Sequence, residues 1–222
     1  MKVEKSTVKT KTRPIPVESP NYFEGPRHKK VVLALAQEAL HHSQTDHLYS
    51  EARTDPLTQL QNRRAFGEAL EQRLASQENN SDNQFAVLFI DLDKFKAVND
   101  TKGHRQGDRT LVYTAGVLAR VLSVREGEHA FRIGGDEFAL LVNPKNDKND
   151  LRDKSLSPNE ILDGLSNRIE DEVKLISRVI GVPEFGASVG YAIFQPDDTA
   201  ESITARADLA MYANKAAKLN LP

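Results

Sequence analysis

A glycine pair between two apolar runs constrains the fold of this chain more than any other feature. Residues 132–138 read Arg-Ile-Gly-Gly-Asp-Glu-Phe. Glycine has no Cβ, so Gly134 and Gly135 permit a sharp turn and the close approach of a phosphate group. The pattern predicts a β-hairpin whose tip presents the carboxylates of Asp136 and Glu137 side by side.

Further carboxylates follow a predicted strand upstream. Residues 85–90 are a continuous apolar run, typical of a strand buried on both faces, and Asp91 and Asp93 come directly after it. Mg²⁺ prefers carboxylate oxygens as ligands, so two strand ends that meet could hold one divalent cation. A solvated turn is the alternative for the acidic hairpin alone, and Asp91 favours the metal site. The two segments together indicate phosphoryl chemistry.

The composition narrows the class of function. The chain has 222 residues, 30 of them basic and 32 acidic, and the resulting net charge of -2 gives no basic surface for nucleic acid. It has no cysteine and no apolar stretch of about 18 residues, so we expect no disulfide, no membrane span and a cytoplasmic location. The sequence is equally compatible with a fragment of a longer or membrane-anchored protein.

Three segments follow from the distribution of proline and apolar residues. Residues 1–26 are rich in lysine, threonine and proline and predict an extended or disordered arm. Residues 27–53 favour an N-terminal helix, interpreted as a stalk or signalling helix, with packing on its own domain as an equal alternative. Residues 54–222 are predicted to form one domain of catalytic size.

Apolar periodicity within that domain predicts an α/β (α+β) sandwich. Predicted helices cover residues 60–76, 107–124, 160–176 and 202–218, and predicted strands cover residues 85–90, 131–133, 138–142 and 187–194. That order describes a central mixed or antiparallel sheet flanked by helices rather than a doubly wound fold. Neither a GxGxxG nor a Walker A sequence occurs, which excludes the usual dinucleotide and P-loop sites.

A set of short motifs occurs in a fixed order along the chain. They are residues 55–58 (DPLT), 62–64 (NRR), 91–100 (DLDKFKAVND), 103–104 (GH), 107–108 (GD), 132–138 (RIGGDEF), 187–190 (ASVG) and 207–215 (ADLAMYANK). With these motifs the chain resembles the GGDEF domain of the diguanylate cyclase family. The resemblance implies a palm-like fold related to nucleotidyl cyclases. It also implies that two GTP molecules condense into cyclic di-GMP, a bacterial second messenger, with release of two pyrophosphates.

The resemblance implies a metal site and the catalytic residues. Mg²⁺ or Mn²⁺ is held by Asp91, the backbone carbonyl of Leu92, Asp136 and Glu137. Asp136 and Glu137 are also the catalytic pair, one of them acting as base toward the 3'-hydroxyl, and the resemblance does not divide the two roles between them. This assignment agrees with the chemistry, because nucleotidyl transfer needs an activated hydroxyl and a neutralised α-phosphate.

The phosphates of GTP have their own implied ligands. By resemblance, the backbone N–H groups of Lys94, Phe95 and Lys96 cup the terminal phosphates, and Lys96 adds charge. Lys215 matches the phosphate-binding lysine of the family. The glycine pair, Gly134 and Gly135, lets the substrate approach the backbone closely. An exposed lysine such as Lys96 would, without these neighbours, be read as a solubilising residue.

Asn99 and Asp108 are the residues predicted to bind the guanine base. A carboxylate that accepts hydrogen bonds from N1–H and N2–H₂ disfavours adenine, because adenine lacks those donors. His104 would lie near the same pocket, and a structural role is the equal alternative for this histidine. Since each protomer would hold one GTP, two sites must face each other, so the resemblance implies an active homodimer.

The chain departs from the family pattern at three places. Leu219 stands where the family usually has a phosphate-binding arginine, within Gly-Arg-Asn, and the neighbouring Lys218 does not reproduce a bidentate guanidinium. Arg125 and Glu128 stand where an Arg-x-x-Asp motif binds the product as an inhibitor, so product inhibition is expected to be weakened. Gln59 and Gln61 replace the Gly and Pro of a loop.

Two alternatives to an active cyclase stay open at this point. The first is a degenerate GGDEF module that binds GTP or cyclic di-GMP and regulates a partner, a reading that Leu219 favours. The intact Asp91, Asp136 and Glu137 favour the enzyme instead. The second is another nucleotidyl cyclase or a polymerase palm, which would not account for Asn99 together with the order of the motifs.

Overall fold

In the computed structural model of the chain, the described residues are Gln37 and the ranges 52–77, 84–122, 128–144 and 156–219. The chain divides into two compact units, Met1–Leu48 and Tyr49–Pro222. The predicted arm at 1–26 lies outside the described residues. So does the predicted stalk helix at 27–53, apart from Gln37, which is helical, and residues 52–53, which are described. All the elements below belong to the second unit.

Five strands and five helices make up the described part of this unit. In chain order they are β1 Gln61–Asn62, α1 Arg63–Gln77, β2 Ala86–Asp93, α2 Phe95–Lys102, α3 His104–Leu122, β3 His129–Arg132, β4 Glu137–Val142, α4 Pro158–Ile180, β5 Gly186–Ile193 and α5 Ala200–Leu219. Among the described residues, no helix combines the length and the apolar character needed to cross a bilayer.

The five strands form one mixed sheet in the order β1-β3-β4-β2-β5. Strand β1 runs parallel to β3, and the other neighbouring pairs are antiparallel. The glycine pair lies between β3 and β4, as the hairpin prediction requires. The prediction of a mixed sheet flanked by helices is therefore confirmed, with β5 as an edge strand and β2 in the interior.

Apolar side chains on both faces of the sheet explain the unbroken apolar run of β2. Its even-numbered residues, such as Leu88 and Ile90, belong to the core shared with α3 and α4. Val87, on the opposite face, packs in a second core with residues of α1 and α5, among them Phe66 and Ile203.

Two elements were absent from the sequence prediction. Strand β1 has two residues, too few to show alternation. Helix α2 buries only Val98 among its residues, so it lacks an apolar stripe that periodicity could detect. Helix α4 begins with a capping box formed by Ser157 and Glu160 and continues to Ile180, beyond its predicted end, before Gly181 caps it in the left-handed conformation.

The loop departure at Gln59 has a structural counterpart. Gln59 adopts φ of 61°, in the left-handed region that glycine enters without strain. Its side chain donates a hydrogen bond to the carbonyl of Pro56 at 2.8 Å, and its backbone N–H donates to Asp55 at 2.9 Å. These bonds hold the turn in the absence of glycine.

An ion pair ties this turn to the hairpin. One guanidinium nitrogen of Arg132 lies 3.0 and 3.1 Å from the two carboxylate oxygens of Asp55, and Arg132 also donates to the carbonyl of Gly135 at 2.8 Å. Burial raises the pKa of Asp55, but hydrogen bonds from Thr58 and the charge of Arg132 outweigh it and leave the pKa below its ordinary value of 3.8.

The Asp55–Arg132 pair predicts an acid-dependent loss of stability. A carboxyl group whose folded pKa is lowered stabilises the fold above its unfolded pKa, and that contribution is lost as the pH falls through the folded value. Asp55→Ala should lower the unfolding free energy by about 2 kcal/mol at pH 7. Urea unfolding should show the difference shrinking below pH 3.8. A difference that stays constant down to acid unfolding would contradict this account.

Candidate active site

Strand pairing brings the two acidic segments together. In the β2–β4 register Asp91 lies opposite Glu137, and the N–H of Leu92 donates to the carbonyl of Asp136 at 3.2 Å. The hairpin tip is closed by hydrogen bonds from the N–H groups of Ile133 and Gly134 to the carbonyl of Glu137, at 3.0 and 3.3 Å. Asp91, Asp136 and Glu137 therefore meet at one end of the sheet.

The electrostatics at this end favour a positive charge. Burial raises the pKa of Asp136, and the charge of Asp91 raises it further. The ammonium of Lys215 contacts the Asp91 carboxylate. Burial lowers the pKa of Lys215, but the hydrogen bond to Asp91 and the nearby charges of Asp93 and Asp136 outweigh burial and raise it. The carboxylates repel one another, and a cation between them is stabilised.

The donor set fits a metal that is held partly by the protein. Within the described ranges, no three acidic or histidine side chains gather closely enough to form a metal cage by themselves. Mg²⁺ does not require such a cage, because it is usually bound by one or two carboxylates, with waters and substrate phosphates as further ligands. Asp91 and Asp136 offer these carboxylates, and the position of the Lys215 ammonium marks a place that attracts a cation.

The start of α2 offers backbone donors for phosphate. Lys94 precedes the helix with φ of 59°, and no side chain among the described residues caps it. The first N–H groups of a helix are unpaired and carry a partial positive charge, so they attract anions. The Lys94 and Lys96 side chains are exposed beside them, whereas Phe95 packs against the core.

A missing side chain brings the predicted guanine ligands together. A Cβ on Gly107 would lie 1.9 Å from Oδ1 of Asn99, so only glycine leaves room for this amide against α3. Asp108 follows Gly107 directly and is exposed. The structure thus places Asn99 next to the helix turn that carries Asp108. His104 is exposed at the first residue of the same helix.

Basic and acidic side chains line a cleft of about 730 Å³ that includes Lys94 and Lys215. Lys94, Lys215 and Lys218 line it together with Asp93 and Glu170. The ammonium of Lys218 donates to the carbonyl of Ala187 at 2.6 Å and lies 2.8 Å from a carboxylate oxygen of Glu170. Lys218 is therefore occupied by protein groups.

The predicted product-inhibition site is only partly described. Arg125 and the Leu219 side chain lie outside the described residues. Glu128 is described, and one of its carboxylate oxygens accepts a hydrogen bond from the N–H of Asn143 at 3.1 Å.

Two residues of the quoted motifs contact the site although sequence reasoning gave them no role. Arg63 donates to the carbonyl of Ile133 at 2.6 Å, and its guanidinium lies 3.8 Å from the carboxylate of Glu137. The Ser188 hydroxyl donates to the carboxylate of Asp93 at 2.9 and 3.0 Å. The signal that could have found Ser188 is the motif 187–190, whose strand pairs with β2.

Comparison with known proteins identifies the family of the chain. The profile of a family described as "Diguanylate cyclase, GGDEF domain" matches residues 52–221, which is most of the chain. The chain belongs to the GGDEF family. This assignment confirms the resemblance that the motifs indicated. The matched range contains all five strands and all five helices given above.

The chain is similar in sequence to several named proteins. The chain is 36% identical over 162 residues to the bifunctional diguanylate cyclase/cyclic di-GMP phosphodiesterase MucR of Pseudomonas aeruginosa, covering 72% of the chain and 22% of MucR. It is 35% identical over 176 residues to the diguanylate cyclase DgcP of Escherichia coli, covering 79% of the chain and 48% of DgcP. The chain thus spans less than half the length of these relatives.

A solved GGDEF structure shares the fold. The coiled coil and GGDEF domain of DgcB from Caulobacter crescentus, solved in complex with c-di-GMP, superposes with a TM-score of 0.71 at 25% identity. The superposition covers 87% of this chain and 96% of that one. The arrangement of sheet and helices described above is therefore that of a GGDEF domain.

Proposed function

We propose that this chain is a diguanylate cyclase that condenses two GTP molecules into cyclic di-GMP and two pyrophosphates, with Mg²⁺, in a homodimer. One observation carries the proposal: Asp91 lies opposite Glu137 in the sheet register, its charge acts on Asp136, and its carboxylate contacts the Lys215 ammonium. The family membership and the diguanylate cyclases among its relatives support the same reaction. We place the reaction in the cytoplasm, where GTP is available.

The acidic cluster suits nucleotidyl transfer. When bound, Mg²⁺ would neutralise charge on the α-phosphate and lower the pKa of the attacking hydroxyl. Asp91 and Asp136 would hold it with oxygen donors, and the Leu92 carbonyl would complete the protein's share. A carboxylate of the pair Asp136 and Glu137 would accept the proton of the 3'-hydroxyl.

The remaining predicted ligands would orient GTP. The N–H groups at the start of α2 would receive the terminal phosphates, and Lys215 would leave Asp91 to contact them when a metal replaces its charge. Asn99 and Asp108 would read the Watson–Crick edge of guanine. Each protomer would supply one GTP, so the product would form only where two protomers face each other.

A chromatographic assay tests the proposal. The purified chain is incubated with GTP and Mg²⁺, and cyclic di-GMP and pyrophosphate are followed at several protein concentrations. We expect product, abolished by chelation of the metal, and a specific activity that rises with protein concentration because the dimer is the active species. Binding of GTP or cyclic di-GMP without product at any concentration would contradict the cyclase and indicate a GGDEF module that regulates a partner.

A further inference from the structure

The helix that carries Lys215 lies over the free edge of the sheet. An open cleft of about 600 Å³ runs along β5 between α4 and α5, and its lining includes Ser166 and Glu170 of α4, Val189 of β5 and Asn214 of α5. Helix α5 packs in the second core and on β5, and at this cleft polar side chains join it to α4 as well.

One carboxylate, Glu170, connects all three elements. Its Oε1 accepts hydrogen bonds from the N–H of Val189 at 3.1 Å and from the amide of Asn214 at 2.9 Å. Its Oε2 lies 2.8 Å from the ammonium of Lys218. The Glu170 side chain is only 20% exposed, so these charge-assisted bonds are little weakened by water.

The same two side chains of α5 also bind the edge of β5 directly. Asn214 donates to the carbonyl of Val189 at 2.9 Å, and Lys218 donates to the carbonyl of Ala187 at 2.6 Å. Residues 214 and 218 are four apart and therefore lie on one face of the helix. Lys215 lies between these two attachment points, so any rotation or shift of α5 moves its ammonium relative to Asp91.

The family pattern makes this attachment more consequential. Lys218 and Leu219 stand where the family usually has glycine and the phosphate-binding arginine. In this chain Leu219 carries no charge, and Lys218 is engaged by Glu170 and the carbonyl of Ala187. Lys215 is the cation of α5 that the proposed function assigns to the phosphates of GTP, so its placement should affect GTP binding.

We propose that Glu170 is a positioning residue for Lys215. It fastens α5 to β5 through Asn214 and Lys218, and in doing so it engages Lys218 with the protein instead of the triphosphate. The inference rests on the proposed function, since it assumes that Lys215 binds the phosphates of GTP. It predicts that the effect of Glu170 on GTP affinity passes through Lys215.

A double-mutant cycle tests this coupling. Affinity is measured by calorimetry with a GTP analogue in which CH₂ replaces the α–β bridging oxygen, so that no condensation occurs. We expect Glu170→Ala to weaken binding about tenfold and Lys218→Met or Asn214→Ala about threefold. In a Lys215→Ala background none of these changes should weaken binding further. Glu172→Ala is the matched control, because it removes a carboxylate of α4 that pairs with Arg120 of α3 instead.

Hydrogen exchange gives a second readout that does not depend on GTP. The backbone amides of α5 should exchange faster in Glu170→Ala than in the wild type, while those of α1 should not change. Faster exchange with unchanged affinity would overturn the positioning role and leave a structural one. Equal weakening in the wild-type and Lys215→Ala backgrounds would also overturn it, and for Lys218→Met it would mean that Lys218 binds phosphate directly.

The cycle separates this inference from the proposed function. Coupling between Glu170 and Lys215 without cyclic di-GMP formation would support the positioning role while contradicting the cyclase. Formation of cyclic di-GMP, with additive effects of the Glu170 and Lys215 substitutions on affinity, would support the cyclase and contradict the positioning role. A wild type that binds no GTP analogue would overturn both.

Discussion

Asp91→Ala should reduce cyclic di-GMP formation about a thousandfold, because a bound metal supplies several kcal/mol of transition-state stabilisation and about 1.4 kcal/mol corresponds to a factor of ten. Asp91 lies near the end of β2, a strand buried on both faces, where it contacts Lys215 and pairs with Glu137 of the acidic hairpin. Without this carboxylate, the metal would keep only Asp136 and the Leu92 carbonyl as protein ligands, and the Lys215 ammonium would lose its ion pair.

The variant is informative only if the fold survives. Asp91 is partly exposed near the end of β2, so its loss should leave the urea midpoint near that of the wild type. Asp197→Ala, in an exposed turn between β5 and α5, is the matched control and should retain full activity. Binding of Mn²⁺ measured by electron paramagnetic resonance should fall in Asp91→Ala and not in the control. Full cyclase activity in a folded Asp91→Ala would exclude this carboxylate as a metal ligand.

Gly190→Ala should have the largest effect on stability, with a loss of about 3 kcal/mol in unfolding free energy. A Cβ at this position would lie 1.9 Å from the backbone nitrogen of Met211 and 2.4 Å from the carbonyl carbon of Ala210. Both atoms belong to the backbone of α5, which cannot move aside as a side chain end can. The helix must shift away from β5, and Lys215 shifts with it.

Urea unfolding measures this loss, and activity per folded molecule should fall as well. Gly164→Ala is the control, since Gly164 is exposed in α4 and a Cβ there would meet no described atom within 4 Å. That change should stabilise the helix by about 0.5–1 kcal/mol, because alanine loses less conformational freedom than glycine. Equal stability of Gly190→Ala and the wild type would show that α5 tolerates displacement and would contradict the close packing described here.

Local sequence patterns were sufficient for most of the fold. The apolar run of β2 and the glycine pair predicted the central strand and the hairpin, because burial on two faces and a sharp turn each leave a strong mark on the sequence. Helix α2 left none, since its residues are mostly polar and only Val98 is buried. Strand β1 was missed because two residues are too short for a period.

The contacts that place the candidate site residues were harder to foresee. The meeting of Asp91 with the hairpin follows from strand pairing, which the motifs indicated. The attachment of Glu170 to Asn214 and Lys218 joins elements far apart in the chain, and it depends on which face of α4 meets the edge of β5. No local period encodes such a contact, because any glutamate on a helix surface would look the same in the sequence.

The central position of β2 has a consequence for how the molecule is made. Its partner β5 pairs with it along its full length, from Ala86 with Ile193 to Asp93 with Gly186, although the two strands are separated by most of the domain. Of the described elements of this domain, β5 and α5 leave the ribosome last, so a nascent chain exposes one edge of β2 until they emerge. The same late segment brings Lys215 to Asp91. Within this domain, the segment made of β5 and α5 therefore closes the core and completes the candidate site together.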